Sequence, residues 1–599
     1  MDRVRFLVVL APFSIFLLSA CDEPTPHPVA VDPASANYGV PGLPPNPTPL
    51  EFSFMPNPDG YQFSNFGGAA DWPLFQDVFG GQVNFWSILD RDFYYNVFAH
   101  AYGGGQCYGF AVTAGMFYRG VYGPHPSEFQ RGASTPFQIV QKTRGPGKDA
   151  LDEDIERHIS KYFFYQADPV INGEYLVAET PGEASNLLDP MEEAEAAGWE
   201  DLWVNCAFGP HFGHCVNLIG VTRTETGGIF WIYNNNNPYR EDTNNPGYRT
   251  FEFTPSAFIF GDGAHDVNLA SVGPVSAHEK DHLNKWWGSV SQDDFWEWVS
   301  RPVDPDMFVV HIDGNEHWLG RTASAEFDDI PGGRRVHLAT GNVNEDWVEP
   351  IHYYLPPGDY TIELRNPTTG ALDYHLLAGD ALFALASPGN GPSEARVTSI
   401  QDTRAFLVEA GSPMENLSVK VAQALSQEEE RAVEISGLSV AAESRIQVMP
   451  VEGAGRFQVE LEGMELALAN LTITEASPAG ILSVQVPHVE IPGEAWVRVE
   501  AWDWSRLSDT PVFLETAQPD GTVAREARHV TSQTLAGFLD DLVASGALPN
   551  PGIATSIRQQ VERAPREALM SHLESLLADG VVSPEVRELI LMVVDGYSG

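Results

Sequence analysis

The chain has 599 residues, with 82 acidic against 34 basic side chains and a formal charge of −48, and its length leaves room for about three or four domains. This acid excess, with only 6 lysines among the basic residues, repels polynucleotides and anionic headgroups, so no nucleic-acid partner is expected. An apolar content of 43% and 14 tryptophans provide for packed cores, not for disorder.

At the N-terminus, Arg3 and Arg5 precede an apolar stretch from Phe6 to Leu18, too short to span a bilayer and typical of an export signal. It ends in Leu18-Ser19-Ala20-Cys21, which resembles the lipobox of bacterial lipoproteins. That resemblance implies a signal peptide over 1–21 and acylation of Cys21 as the mature N-terminus. The protein would then be lipid-anchored in the bacterial cell envelope, periplasmic or surface-exposed. An ordinary signal cleaved near Ala20 is the alternative. Residues 22–50 are rich in proline and small residues without periodicity, as in an extended tether.

The stretch GGGQCYGFAVTAGMFYRG, residues 103–120, places Cys107 after three glycines. Phe110, Ala111, Ala114, Phe117 and Tyr118 recur at helical spacing and predict one buried helix face. The thiol therefore falls at or near a helix N-terminus, where unpaired N–H groups and the helix dipole favour a thiolate. The other cysteines are Cys21, Cys206 and Cys215. With Cys21 acylated, an odd number remains and at least one thiol stays free. Cys206 and Cys215 flank a short Gly/Pro turn between two predicted strands, where a bridge is possible but not dictated.

His214 opens the strand HCVNLIGV, and Asn234 is the first polar residue after the strand GIFWIY. A thiol on a helix start, a histidine on a strand and an amide on the next strand suit acyl transfer: the imidazole moves the proton and the amide orients the ring. His211, in the preceding turn, is a rival base, and the orienting amide could lie anywhere from Asn234 to Asn237.

GGGQCYGFAV followed by GHCVNLIGVTRTETGGIFWIYNNNNP resembles the papain-like cysteine peptidase superfamily, in a bacterial branch. The likeness covers roughly residues 51–260, including the upstream NPDGYQFSNFGG. It implies an α+β papain-like domain over 51–262, with Cys107 as nucleophile, His214 as base and Asn234 as orienting residue. It implies a peptide or protein substrate and neither cofactor nor metal. The chain departs from papain, which carries an oxyanion-binding glutamine six residues before the nucleophile: position 101 is alanine, and Gln106 directly precedes Cys107. Cell-wall amidases and transglutaminase-like acyl transferases share the superfamily and are alternatives, as is a non-catalytic adhesion or binding lipoprotein.

HEKDH, His278 to His282, fits the zinc-binding H-E-x-x-H pattern. Lys280 and Asp281 between the histidines, and Pro274 just upstream, argue against a zincin helix. A linking, partly helical segment is expected over 263–304. Short alternating strands with Pro-Gly and Asn-Pro turns then predict a β-sandwich-like domain over 305–392 and a second β domain over 393–520. In the last part, 527–599, Leu535, Phe538, Leu539 and Leu542 form one apolar stripe, and Ser583 with Pro584 marks a helix start. This part predicts a small helical bundle and resembles the FIMAH-type modules of secreted bacterial enzymes. The β and helical parts are expected to take surface or cell-wall ligands. The fold class is thus multidomain: α+β first, antiparallel β next, helical last.

Overall fold

The computed structural model describes residues 54–66, 71–79, 82–98, 105–120, 125–139, 155–178, 180–198, 202–209, 212–236, 248–260, 267, 269–279, 297–301, 306–312, 316–321, 326–336, 338, 351–366, 370–389, 391–400, 404–451, 456–518 and 520–597. The signal segment 1–21 with Cys21, the tether 22–50, Ala101, His211, Asn237 and Lys280–His282 lie outside the described residues. Residues 51–599 form one compact unit, and its described part contains several antiparallel sheets and a C-terminal helical cluster.

The first part is a helical layer on a seven-stranded sheet. Its strands are β1 (Leu176–Ala178), β2 (Trp203–Gly209), β3 (Phe212–Arg223), β4 (Gly228–Tyr233), β5 (Tyr248–Phe253), β6 (Phe258–Phe260) and β7 (Leu269–Pro274), in the spatial order β1-β7-β2-β3-β4-β5-β6. All neighbours run antiparallel. Strand alternation divides the side chains between two cores. Val204, Cys206, Cys215 and Ile219 join the core that holds Cys107 and Phe110. Ala207, Val216, Leu218 and Ile232 pack with Leu187, Leu188 and Met191 of the helix Ser185–Ala196.

The helix Cys107–Arg119, α1, is stopped by Gly120, whose φ of 62° is left-handed and whose N–H reaches the Met116 carbonyl. Every residue from Cys107 to Met116 is buried, while Phe117 and Tyr118 are partly exposed. One buried face was expected; instead α1 is enclosed between the sheet and the helix Ile155–Phe163. Gly109 permits this crossing, since a Cβ there would lie 2.0 Å from the Ile159 carbonyl oxygen.

From residue 297 the chain builds an eleven-stranded and a nine-stranded sheet. Both contribute to one apolar core: Ile362, Val397, Val408 and Val459 come from the first, Phe383, Val419, Val433 and Ile473 from the second. Ser393–Ile400 pairs with Tyr360–Asn366, and Ala381–Ser387 with Met414–Ser426. The expected division between 305–392 and 393–520 therefore has no counterpart in the strand pairing. The expected linker 263–304 also contains β7 of the first sheet and Glu297–Arg301 of the nine-stranded one. Local turn signals mark strand ends, but they do not say which sheet a strand joins.

Two polar contacts seat the first part on the nine-stranded sheet. Glu430 accepts from Ser87 Oγ at 2.6 Å and from the N–H groups of Ile88 and Leu89 at 2.6 and 3.2 Å, at the start of the helix Ile88–Phe93. His375 lies between Asp92, at 3.1 Å from Nδ1, and Asp373, at 3.0 Å from Nε2. The chain ends in helices Ser532–Ala544, Pro551–Arg563, Arg566–Ala578 and Pro584–Asp595. The stripe Leu535, Phe538, Leu539 and Leu542 is buried there with Ile557, Leu573 and Ile590. Ser583 caps the last helix by accepting from Val586 N–H at 3.2 Å.

Candidate active site

Cys107 is the first residue of α1, behind Gln106 at the N-cap. Its sulfur lies at the edge of β3 just beyond the end of β4. Asn217 pairs with Tyr233, the last residue of β4, so the next outward-facing residue, Cys215, has no strand beside it on that side. The Cys215 N–H instead donates to Cys107 Sγ at 3.4 Å, and the thiol faces the Gly213 carbonyl oxygen at 4.0 Å. These are the two residues on either side of His214. An N–H aimed at the sulfur, at the positive end of the α1 dipole, stabilises negative charge on it.

Cys206 and Cys215 are directly paired across β2 and β3 and joined by a disulfide, with Cα atoms 4.1 Å apart. Cys107 is not part of that disulfide and is 1% exposed.

The ring of His214 packs against Phe260, with centroids 5.4 Å apart, and its Nε2 lies 3.1 Å from Asn234 Oδ1. The same Oδ1 accepts the Asn236 backbone N–H at 3.0 Å. A backbone N–H can only donate, so this atom is the amide oxygen and His214 Nε2 carries the proton toward it. In the neutral ring the lone pair is then on Nδ1. The structure thus brings His214 and Asn234 together and sets Cys107 against the strand that carries His214.

No family model, curated protein or solved structure matches the chain. Identification of the site therefore rests on its own geometry.

Of the two candidate bases, only His214 falls within the described residues. Sequence reasoning offered Asn235 only as an alternative orienting amide and missed the bridge it makes. Its Nδ2 donates to the carbonyls of both Cys107, at 3.0 Å, and Cys215, at 2.8 Å. Nothing in a run of four asparagines distinguishes its second member from its first. The role of the upstream segment is also tertiary: Asn65 N–H donates to the Asn235 carbonyl and Gln106 N–H to the Phe66 carbonyl, both at 2.9 Å. Tyr61 N–H bonds the Tyr233 hydroxyl at 2.8 Å.

The HEKDH motif does not form a helix face where it is described. His278 lies in a short 3-10 turn, Val275–Glu279, and is buried. Its Nδ1 donates to the Val275 carbonyl at 3.2 Å, so Nε2 accepts the Tyr108 hydroxyl at 2.7 Å. Burial lowers its pKa to about 4, keeping it neutral at ordinary pH. Both nitrogens are engaged, and among the described residues no group of three or more His, Cys, Asp or Glu side chains could hold a metal ion.

Proposed function

We propose that the first part of the chain is a papain-like thiol hydrolase, acting on peptide or protein bonds through Cys107, His214 and Asn234. The observation that carries the proposal is the helix-start thiol seated against the strand of His214, with the imidazole proton held on Nε2 by Asn234. In this reading His214 Nδ1 takes the Cys107 proton and the thiolate attacks the substrate carbonyl carbon. The carbon–sulfur bond forms and the carbonyl electrons move onto oxygen, at the positive end of the α1 dipole. The imidazolium then protonates the leaving amine as the carbon–nitrogen bond breaks. Water, deprotonated by the same ring, cleaves the thioester and restores the thiol. An amine in place of that water would make the chain an acyl transferase, and a cell-wall amide in place of a peptide would make it an amidase.

The lipobox-like Leu18–Cys21 supports a lipid anchor for this activity in the bacterial cell envelope. The deciding experiment is a cleavage profile on an unbiased peptide library with wild type and Cys107→Ala. The variant should keep its fold, since a thiol becomes a methyl, and lose turnover by at least about 1,000-fold. Equal cleavage by both proteins, or none by wild type on peptide, cell-wall or acyl-acceptor substrates, rejects the hydrolase. Membrane fractionation of Cys21→Ser tests the anchor in parallel: the variant should be exported but washed free of membranes.

A further inference from the structure

We infer that Asn235 is a positioning residue that holds the nucleophile and the base in register; this rests on the thiol-hydrolase reading. Its side-chain NH2 group donates one hydrogen bond to the carbonyl of Cys107, the first residue of α1, and the other to the carbonyl of Cys215, the residue after His214. One planar amide thus spans the joint between the helix that carries the thiol and the strand that carries the imidazole. Asn235 is 0% exposed, so water does not compete for either bond. Its own carbonyl accepts the Asn65 N–H at 2.9 Å, and Asn65 Nδ2 reaches Asn236 Oδ1 at 3.0 Å. The amide is therefore anchored from behind while it reaches forward.

The geometry also divides the labour within the asparagine run. Asn234 orients the ring, and Asn235 fixes how far the ring's strand stands from the thiol. Beyond the end of β4, Cys215 lacks a strand partner on this side; Cys107 Sγ takes its N–H and Asn235 takes its carbonyl. Losing the amide would take from the Cys215 carbonyl the donor it has on this side and break the bridge from it to the Cys107 carbonyl. The Cys215 N–H on Sγ and Asn217 Nδ2, 2.7 Å from the Ala111 carbonyl, would still hold α1 to β3, but less closely at its first residue, and a proton transfer that depends on sub-ångström placement is lost well before the fold is.

The test is the pH dependence of Cys107 alkylation by iodoacetamide on the full chain, read at the Cys107 peptide. Wild type, Asn235→Ala and Asn235→Asp are compared; the aspartate keeps the shape of the side chain and removes both donors. The plateau rate reports access to the thiol and the profile shape reports its activation, so the two separate. Wild type should react at pH 6 at a sizeable fraction of its plateau. Both variants should lose that acidic arm at least tenfold and follow an ordinary thiol with an inflection near pH 8.5. The Cys206–Cys215 disulfide and cooperative melting should be retained. A folded variant with the wild-type profile overturns the inference, and so does failure of both variants to fold, which would make the amide structural. An ordinary profile in wild type instead rejects the activated thiol itself, and the positioning role falls with it.

Discussion

His214 Nε2 lies 3.1 Å from an oxygen of Asn234 that already accepts the backbone N–H of Asn236. That second bond removes the ambiguity of the side-chain amide and with it that of the imidazole tautomer. The neutral ring therefore carries its lone pair on Nδ1; in the proposed mechanism that atom takes the thiol proton and Asn234 orients the ring.

Replacing the two residues should separate these roles. His214→Ala should remove the acidic arm of the Cys107 alkylation profile entirely. Asn234→Ala should reduce it by about 10- to 100-fold, because the ring persists but samples the wrong tautomer and orientation. If Asn234→Ala is the more damaging change, or His211→Ala reproduces the His214→Ala profile, the assignment of the base is wrong.

Glu430 caps a helix that belongs to a distant part of the chain, accepting one hydroxyl and two N–H groups at the start of Ile88–Phe93. Its burial makes these charge-assisted bonds costly to lose. Glu430→Gln keeps the shape, removes the charge and turns one acceptor into a donor facing N–H groups. It should lower stability by about 1–3 kcal/mol in denaturant titration. Hydrogen exchange at Ile88 and Leu89 should rise with it. Unchanged protection at those amides would mean that Glu430 does not hold this helix start on the sheet.

His375 makes stability depend on alkaline pH. Burial by itself pushes its pKa down, but the carboxylates of Asp92 and Asp373 outweigh burial and raise it to about 10. In the unfolded chain a histidine titrates near 6.5. Below that pH both states hold the proton and the stabilisation is whole. Between 6.5 and about 10 only the folded state holds it, so stability must fall as pH rises. The melting temperature of wild type should decline across this window more steeply than that of His375→Asn. Parallel slopes would show that His375 is neutral between its two carboxylates.

Local sequence was enough to place Cys107, His214 and Asn234 on their elements. The glycines before Cys107 and the apolar spacing after it specify a helix start, because backbone freedom and a buried stripe are properties of a few neighbouring residues. The positions of His214 at a strand entrance and of Asn234 at a strand end follow from alternation and its interruption, and Ser583-Pro584 marks a cap in the same way. Three matters were decided by tertiary structure. Cys206 and Cys215 are bridged because β2 and β3 pair in the register that sets them opposite each other, a choice made by the whole sheet. The β region is two sheets with a shared core because a strand's partner depends on contacts far along the chain, whereas turn residues report only where the strand ends. Asn235 bridges Cys107 and Cys215 only once residues 107, 215 and 235 have been brought together. Its residue type permits the two hydrogen bonds, but only long-range packing supplies the two carbonyls at once and excludes the water that would otherwise take their place.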